Sequence, residues 1–137
     1  LAALQLILSE CPDEAHTMAK SLDEANAERR AIERAIYDDA VEELDACFNP
    51  NQRAIIVARE GWHPGVIGIV SSKLQGRYQR PVVVIAIDEE GIGRGSARSN
   101  GNFDMIQAFR ACGDIRGKIC PEHHLDLADA RHGINCQ

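Results

Sequence analysis

The sequence predicts an α/β protein in which a long N-terminal helix precedes a domain with a mixed sheet. Three observations support this fold class. A run without glycine or proline has apolar residues at helical spacing, two later apolar runs have the length of strands, and a helical pattern separates those two runs. The order strand, helix, strand, strand and helix after the long helix is typical of a mixed α/β domain.

The predicted long helix covers residues 13–48. Apolar residues recur there at steps of three and four, as in Ala15, Met18, Leu22, Ile32 and Ile36. At roughly 1.5 Å per residue the helix would be about 50 Å long. This length favours a helix that connects two domains or a helix that dimerises. Residues 1–12 are then expected to be the remainder of a preceding domain.

The second part of the chain, residues 49–112, is predicted to form the α/β domain. We predict strands at 53–58, 81–87 and 92–99, helices at 66–77 and 103–111, and turns at 62–65 and 88–91. The apolar run 81–87 suits a strand that is covered on both faces. Residues 113–137 show no clear pattern, so we expect a divergent tail and a domain that is incomplete at its C-terminal side.

Composition limits the class of protein. Hydrophobic residues make up 45% of the 137 residues, which is enough for a packed core. No apolar run approaches the roughly 18 residues of a membrane span, and no basic leader is visible. The five cysteines are an odd number at wide spacing, which favours free thiols in a reducing compartment. We therefore expect a cytoplasmic protein without a membrane partner.

Charge is distributed unevenly along the chain. Residues 1–48 hold 12 acidic and 4 basic residues, a net charge of −8, whereas residues 49–137 hold 9 acidic and 11 basic residues, a net charge of +2. A surface that binds phosphate needs positive charge. We therefore expect such a surface in the second part of the chain.

The segment Gly91–Ser99 has the strongest chemical pattern. In a strand, Arg94, Ser96 and Arg98 share one face, because alternate side chains point the same way. Arginine binds phosphate through paired charge-assisted hydrogen bonds, and a serine hydroxyl adds a donor. The alternative is an edge strand with solvated arginines, and the segment alone leaves both interpretations open.

The segment Gly61–Gly68 is the second candidate. A helix that begins after a strand offers backbone N–H groups to an anion. Trp62 would then stack on a base and His63 would bind a phosphate. The alternative, which is favoured for Trp62, makes Trp62 an anchor of the core and His63 a cap of the helix.

No metal site is predicted on this chain. Cys120, His123, His124, His132 and Cys136 are suitable ligand types, but their spacing meets no standard zinc pattern. The acidic pairs Asp38-Asp39 and Glu42-Glu43 on the long helix are interpreted as a solvated helix face.

From Asp13 to about Cys112 the chain resembles the RecJ exonucleases of the DHH phosphoesterase superfamily. Four motifs occur in the family's order: residues 22–30 (LDEANAERR), 61–70 (GWHPGVIGIV), 80–85 (RPVVVI) and 93–99 (GRGSARS). The resemblance implies a connecting helix followed by a DHHA1 domain. It also implies a parent enzyme that degrades single-stranded DNA from the 5′ end in repair and recombination.

The resemblance further implies residue roles. Ser96 and Arg98 would hold a DNA phosphate and Arg94 would support the groove, with Ser99 and His63 as further nucleic-acid-binding candidates. The Mn²⁺ or Mg²⁺ of the parent enzyme would be bound by a DHH domain, whose Asp-His-His motif does not occur here. We therefore expect no catalytic residue and no cofactor on this chain, inactivity of the chain alone, and two partners, single-stranded DNA and the DHH domain.

One further departure and two alternatives remain. The family's Gly-Gly-His motif does not follow Cys112, and residues 113–137 offer no adequate substitute. One alternative is a DHH/DHHA1 phosphodiesterase that acts on short oligonucleotides or cyclic dinucleotides, although the long helix with Asn-x-Glu-Arg-Arg favours RecJ. The other is a non-enzymatic module that binds nucleic acid or dimerises through the long helix.

Overall fold

A computed structural model describes residues 2–47, 49–99, 101 and 103–111, and the backbone of residues 117–119 and 124–127. The elements are α1 (Ala2–Leu8), α2 (Pro12–Cys47), β1 (Ile55–Glu60), α3 (Ile67–Tyr78), β2 (Val82–Ile87), β3 (Gly93–Arg98), α4 (Met105–Ala111), β4 (Gly117–Ile119) and β5 (His124–Leu127). The predicted fold class, a long helix followed by a mixed α/β sheet domain, is confirmed. No helix in the described ranges combines the length and apolar character that crossing a membrane requires.

The sheet has the strand order β1-β2-β3-β5-β4. The first two strands are parallel, and α3 connects them, as a parallel pair requires. β2 and β3 form an antiparallel hairpin. Its turn is closed by Asp88, whose side chain accepts hydrogen bonds from the N–H groups of Glu90 and Ile92 at 3.0 and 2.9 Å, and Gly91 supplies the left-handed φ of 80°.

Two strands lie in the segment where the sequence predicted no element. β5 pairs with β3 and β4 pairs with β5, both in antiparallel fashion. These strands have only four and three residues, which is too short for an alternation of polar and apolar residues to be recognised. The rest of the predicted tail, including Cys120, His123, His132 and Cys136, lies outside the described residues.

The first strand begins two residues later than predicted. The sequence placed it at 53–58, whereas β1 runs from Ile55 to Glu60. Its register with β2 explains the difference, because Ile55 lies opposite Val82 and Glu60 lies opposite Ile87. Pairing along the whole of β2 therefore brings two charged residues, Arg59 and Glu60, into the strand.

The main core lies between the sheet and the helices α2 and α3. Leu74 and Val70 of α3 and Ala40 of α2 are fully buried in it. Val82 and Val84 of β2 form its floor and are also fully buried. α4 covers part of the opposite face, where a smaller cluster contains Val83, Ile85, Ala97 and Met105. β2 is thus buried on both faces, as its apolar sequence predicts.

Only the second half of α2 belongs to this core. The buried residues of the helix are Glu33, Ile36, Ala40 and Leu44. The first half contacts α1, and its apolar residues are half-buried or exposed. α2 begins with Pro12 and ends at Cys47, one residue before each predicted boundary. Proline suits the first helical position because no intrahelical partner exists there for the missing N–H.

A charged contact joins α2 to α3. Glu33 is buried, and its two carboxylate oxygens receive Lys73 Nζ at 2.6 Å and Arg29 Nη1 at 3.0 Å. The pKa of Glu33 is lowered from its ordinary value of 4.5, first by the hydrogen bond from Lys73 and also by Arg29, although burial opposes this shift. The folded protein therefore favours the ionised form of Glu33.

We expect Leu74→Ala to lower the free energy of unfolding by about 2–5 kcal/mol, because it leaves a cavity in the main core. Urea unfolding followed by the fluorescence of Trp62, the single tryptophan, measures this change. The control is Leu4→Ala on α1, where the side chain is 56% exposed and the expected change is within about 0.5 kcal/mol. Equal losses for both variants would contradict the described core.

The ion pair of Glu33 predicts a pH-dependent stability. A carboxyl group with a lowered pKa in the folded state stabilises the protein above its ordinary pKa, and this contribution is lost as pH falls through the folded pKa. We expect the stability advantage of the unchanged protein over Glu33→Gln to be constant near pH 7 and to shrink below about pH 4.5. Urea unfolding from pH 7 to pH 3 measures it. Glu24→Gln is the control, because Glu24 is exposed and unpaired among the described residues. A pH-independent difference would contradict the pairing.

Candidate nucleic-acid interface

Three of the predicted side chains lie on one face of β3. In the register with β2, Arg94 lies opposite Ala86, Ser96 opposite Val84 and Arg98 opposite Val82. These three β2 residues belong to the main core. Arg94, Ser96 and Arg98 therefore share the sheet face that α3 covers, as the alternation of side chains predicts.

Arg98 is held in place by hydrogen bonds. Its Nε donates to Ser72 Oγ at 3.1 Å, and its Nη1 donates to the carbonyl of Ala97 at 2.8 Å and to Ser96 Oγ at 3.4 Å. Ser96 is fully buried, so its hydroxyl contacts Arg98 and is not presented on the surface. The guanidinium is thus oriented beside the first turns of α3.

Gly68 allows this close approach between α3 and β3. A Cβ atom at position 68 would lie 3.4 Å from Ser96 Oγ and 3.6 Å from Arg98 Nη2. A larger side chain would reach the space that the guanidinium occupies. Gly68 and Ser72 are one helical turn apart, so both face β3. Ser72 is not among the side chains predicted from the sequence, and its spacing of four residues from Gly68 is the signal that indicates its position.

Arg94 is exposed at the other end of the same strand face. It lines a small pocket of about 120 Å³ together with Trp62, Pro64 and Ile92. The backbone register places Asp126 of β5 opposite Arg94. This end of the face therefore combines one cation with apolar side chains and with the carboxylate of Asp88, which also lines the pocket.

The two arginines of this face differ from Arg59 in their partners. Among the side chains that the structure describes, no carboxylate lies within ion-pair distance of Arg94 or Arg98. Arg59, by contrast, pairs with Asp39 and Glu43. An arginine that is oriented but not neutralised keeps its paired N–H groups and its charge for an anion such as phosphate.

His63 and Ser99 close local turns. His63 Nδ1 accepts a hydrogen bond from the N–H of Gly65 at 3.0 Å, and its carbonyl accepts one from Val66 at 3.2 Å. This arrangement caps the turn before α3, and the side chain of His63 is exposed. Ser99 Oγ donates to the carbonyl of Phe103 at 2.8 Å in the loop before α4. The structure therefore ties both residues to loops beside the arginine face.

Trp62 is an anchor of the core, as the favoured interpretation predicts. It is 6% exposed, and its Nε1 donates to Asp39 Oδ2 at 2.8 Å. Asp39 and Glu43 also pair with Arg59, because β1 extends to Glu60 and brings Arg59 next to α2. The other members of the two acidic pairs, Asp38 and Glu42, are exposed, as the interpretation of a solvated face predicts.

The described residues do not fit a metal ion. No group of three or more His, Cys, Asp or Glu side chains converges within them. Two neighbouring carboxylates on α2, Asp39 and Glu43, share the guanidinium of Arg59 as a partner. A cation at that position would have to displace Arg59 from both partners.

The family model of the DHHA1 domain matches residues 51–119, which is half of the chain. The chain therefore belongs to the DHHA1 domain family. The match extends past residue 112, where the predicted domain boundary lay.

Individual relatives are RecJ exonucleases. The chain is 43% identical over 114 residues to the single-stranded-DNA-specific exonuclease RecJ of Bacillus subtilis (strain 168), covering 82% of this chain and 14% of that protein. It is also similar to the structure of exonuclease RecJ bound to manganese, with a TM-score of 0.71 and 27% sequence identity. That similarity covers 93% of this chain and 31% of the other one. The structure of RecJ in complex with Mg²⁺ from Thermus thermophilus gives a TM-score of 0.70 at 27% identity, with 93% of this chain and 20% of that one covered. The chain thus spans a small part of each.

We expect Gly68→Val to destabilise the protein by about 1–3 kcal/mol, because the added side chain is forced against Ser96 and Arg98. The matched control is Gly76→Val in the same helix, where a Cβ atom would meet nothing within 4 Å. Both changes alter helix propensity in the same way, so their difference in urea unfolding isolates the contact. Indistinguishable stabilities would contradict the close approach of α3 to β3.

Proposed function

We propose that this chain supplies the phosphate-binding surface of a metal-dependent exonuclease that degrades single-stranded DNA in the 5′ to 3′ direction. The observation that carries this proposal is Arg98, which is oriented by Ser72 and Ala97 but has no carboxylate partner among the described side chains. Similarity to RecJ proteins supports single-stranded DNA as the substrate class. A role of the parent enzyme in DNA repair and recombination belongs to the same proposal.

Each residue has a separate part in this proposal. Arg98 binds a phosphate near the 5′ end of the strand, and Ser96 acts by holding Arg98 in position. Arg94 binds further along the same face, where it is exposed. His63 and Ser99 position the two loops that border the face and present polar groups to the backbone of the strand. The arrangement suits phosphate binding because arginine forks match its oxygen atoms.

The chemistry of hydrolysis is assigned to a separate DHH domain in this proposal. Similar RecJ structures hold Mn²⁺ or Mg²⁺, which activate water and stabilise developing negative charge at phosphate. The described residues of this chain do not fit such a metal. The chain would therefore bind the strand, and the DHH domain would be its partner in cleavage.

Binding of a 5′-phosphorylated single-stranded oligonucleotide to Arg98→Ala tests the proposal. Loss of one phosphate contact makes the slope of log K against log salt concentration shallower by about 0.7, where K is the association constant. This change corresponds to binding that is about fivefold weaker at 0.1 M salt. Fluorescence anisotropy at several salt concentrations measures both values. Arg110→Ala is the control, because this exposed arginine lies on α4, across the sheet.

Unchanged affinity and an unchanged salt slope for Arg98→Ala would refute the assigned role. The same samples, incubated with Mn²⁺ and separated on a gel, test whether hydrolysis requires the separate DHH domain. Cleavage by the 137-residue chain alone would overturn the assignment of hydrolysis to a separate domain.

A further inference from the structure

A second basic surface lies on the other side of α3, in a groove between α3 and α2. The groove has a volume of about 610 Å³ and opens to solvent. The polar and aromatic residues that line it are Arg30, Glu33, Arg34, Tyr37, Asp38 and Lys73. This surface belongs to the segment whose net negative charge gave no reason to expect phosphate binding.

The charge of the groove is set by the pairing of Glu33. Both oxygens of this carboxylate are occupied, by Lys73 at 2.6 Å and by Arg29 at 3.0 Å. Among the described side chains, Arg30 and Arg34 have no carboxylate within ion-pair distance. Asp38 is the remaining acid of the lining. The groove and Arg29 together hold four basic and two acidic side chains, so their net charge is positive.

Arg30 and Arg34 are spaced for a repeating anion. They are one helical turn apart, with Cβ atoms roughly 5–6 Å apart on the same side of α2. Both are exposed, so their guanidinium groups are accessible. An open groove with two such arginines suits neighbouring phosphates of an extended strand better than an enclosed small molecule.

The groove adjoins the face that carries Arg98. Ser72, which accepts the hydrogen bond from Arg98, is followed directly in α3 by Lys73, which lines the groove. Lys73 Nζ also lies 5.7 Å from the ring centroid of Tyr37, which lines the same groove. Basic side chains therefore occur at neighbouring positions on β3, α3 and α2, and the one on α3, Lys73, is paired with Glu33.

We infer that the groove between α2 and α3 is a second phosphate-binding subsite for single-stranded DNA, in which Arg30 and Arg34 each bind a phosphate. This inference rests on the proposed function and extends it, because it assigns a path for the strand beyond the phosphate at Arg98. The subsite contacts only the backbone of the strand and so has no base preference.

The test compares the full chain with Arg30→Ala/Arg34→Ala, using two 5′-phosphorylated single-stranded oligonucleotides of about 3 and about 12 nucleotides. For the longer one we expect a salt slope that is shallower by about 1.4 and binding that is about 25-fold weaker at 0.1 M salt. For the shorter one we expect a smaller change, because it has too few phosphates to occupy the site at Arg98 and the groove together. The double change to lysine keeps the charge and should retain the salt slope.

The outcomes separate the two proposals. If Arg98→Ala weakens binding but the double alanine variant binds the longer oligonucleotide with an unchanged slope, the groove proposal alone is overturned. Equal losses for both lengths also overturn it, because they place Arg30 and Arg34 in the first site or in the fold. If the unchanged protein binds neither oligonucleotide in a salt-sensitive way, both proposals fail.

Discussion

The packing of the second half of α2 against α3 is the constraint on which the rest of the structure depends. Ala40 is fully buried at this contact, and Ile36 and Leu44 flank it on the same side of α2. This contact holds α3 against the sheet. Because α3 carries Ser72 and Lys73, the position of α3 determines both the orientation of Arg98 and the width of the basic groove.

Local patterns predicted the long helix, the strands β2 and β3 and the face of β3, but not the short strands β4 and β5. The apolar run of β2 and the alternation along β3 depend only on neighbouring residues, so they are visible in the sequence. Contacts between distant residues were not predictable in this way. Arg98 bonds to Ser72, which is 26 residues away, and Trp62 bonds to Asp39, which is 23 residues away. Only the packing of the helices on the sheet brings these groups together.

Average charge was a poor guide to the basic surfaces. The first 48 residues have a net charge of −8, yet the groove formed by Arg30 and Arg34 lies among them. A helix distributes successive residues around its axis, so acidic and basic residues that alternate in sequence separate into different faces. Glu33 also contributes little negative charge to the surface, because it is buried and paired with Lys73 and Arg29.

The partial burial of α2 has a consequence for the cooperativity of the protein. Amide groups near Ile36 and Ala40 are protected by the main core, so their exchange with solvent requires opening of the whole domain. Amide groups in the first half have few tertiary contacts and exchange through local fraying. One continuous helix therefore contains two segments of different local stability, and the boundary between them falls near Arg30 and Glu33.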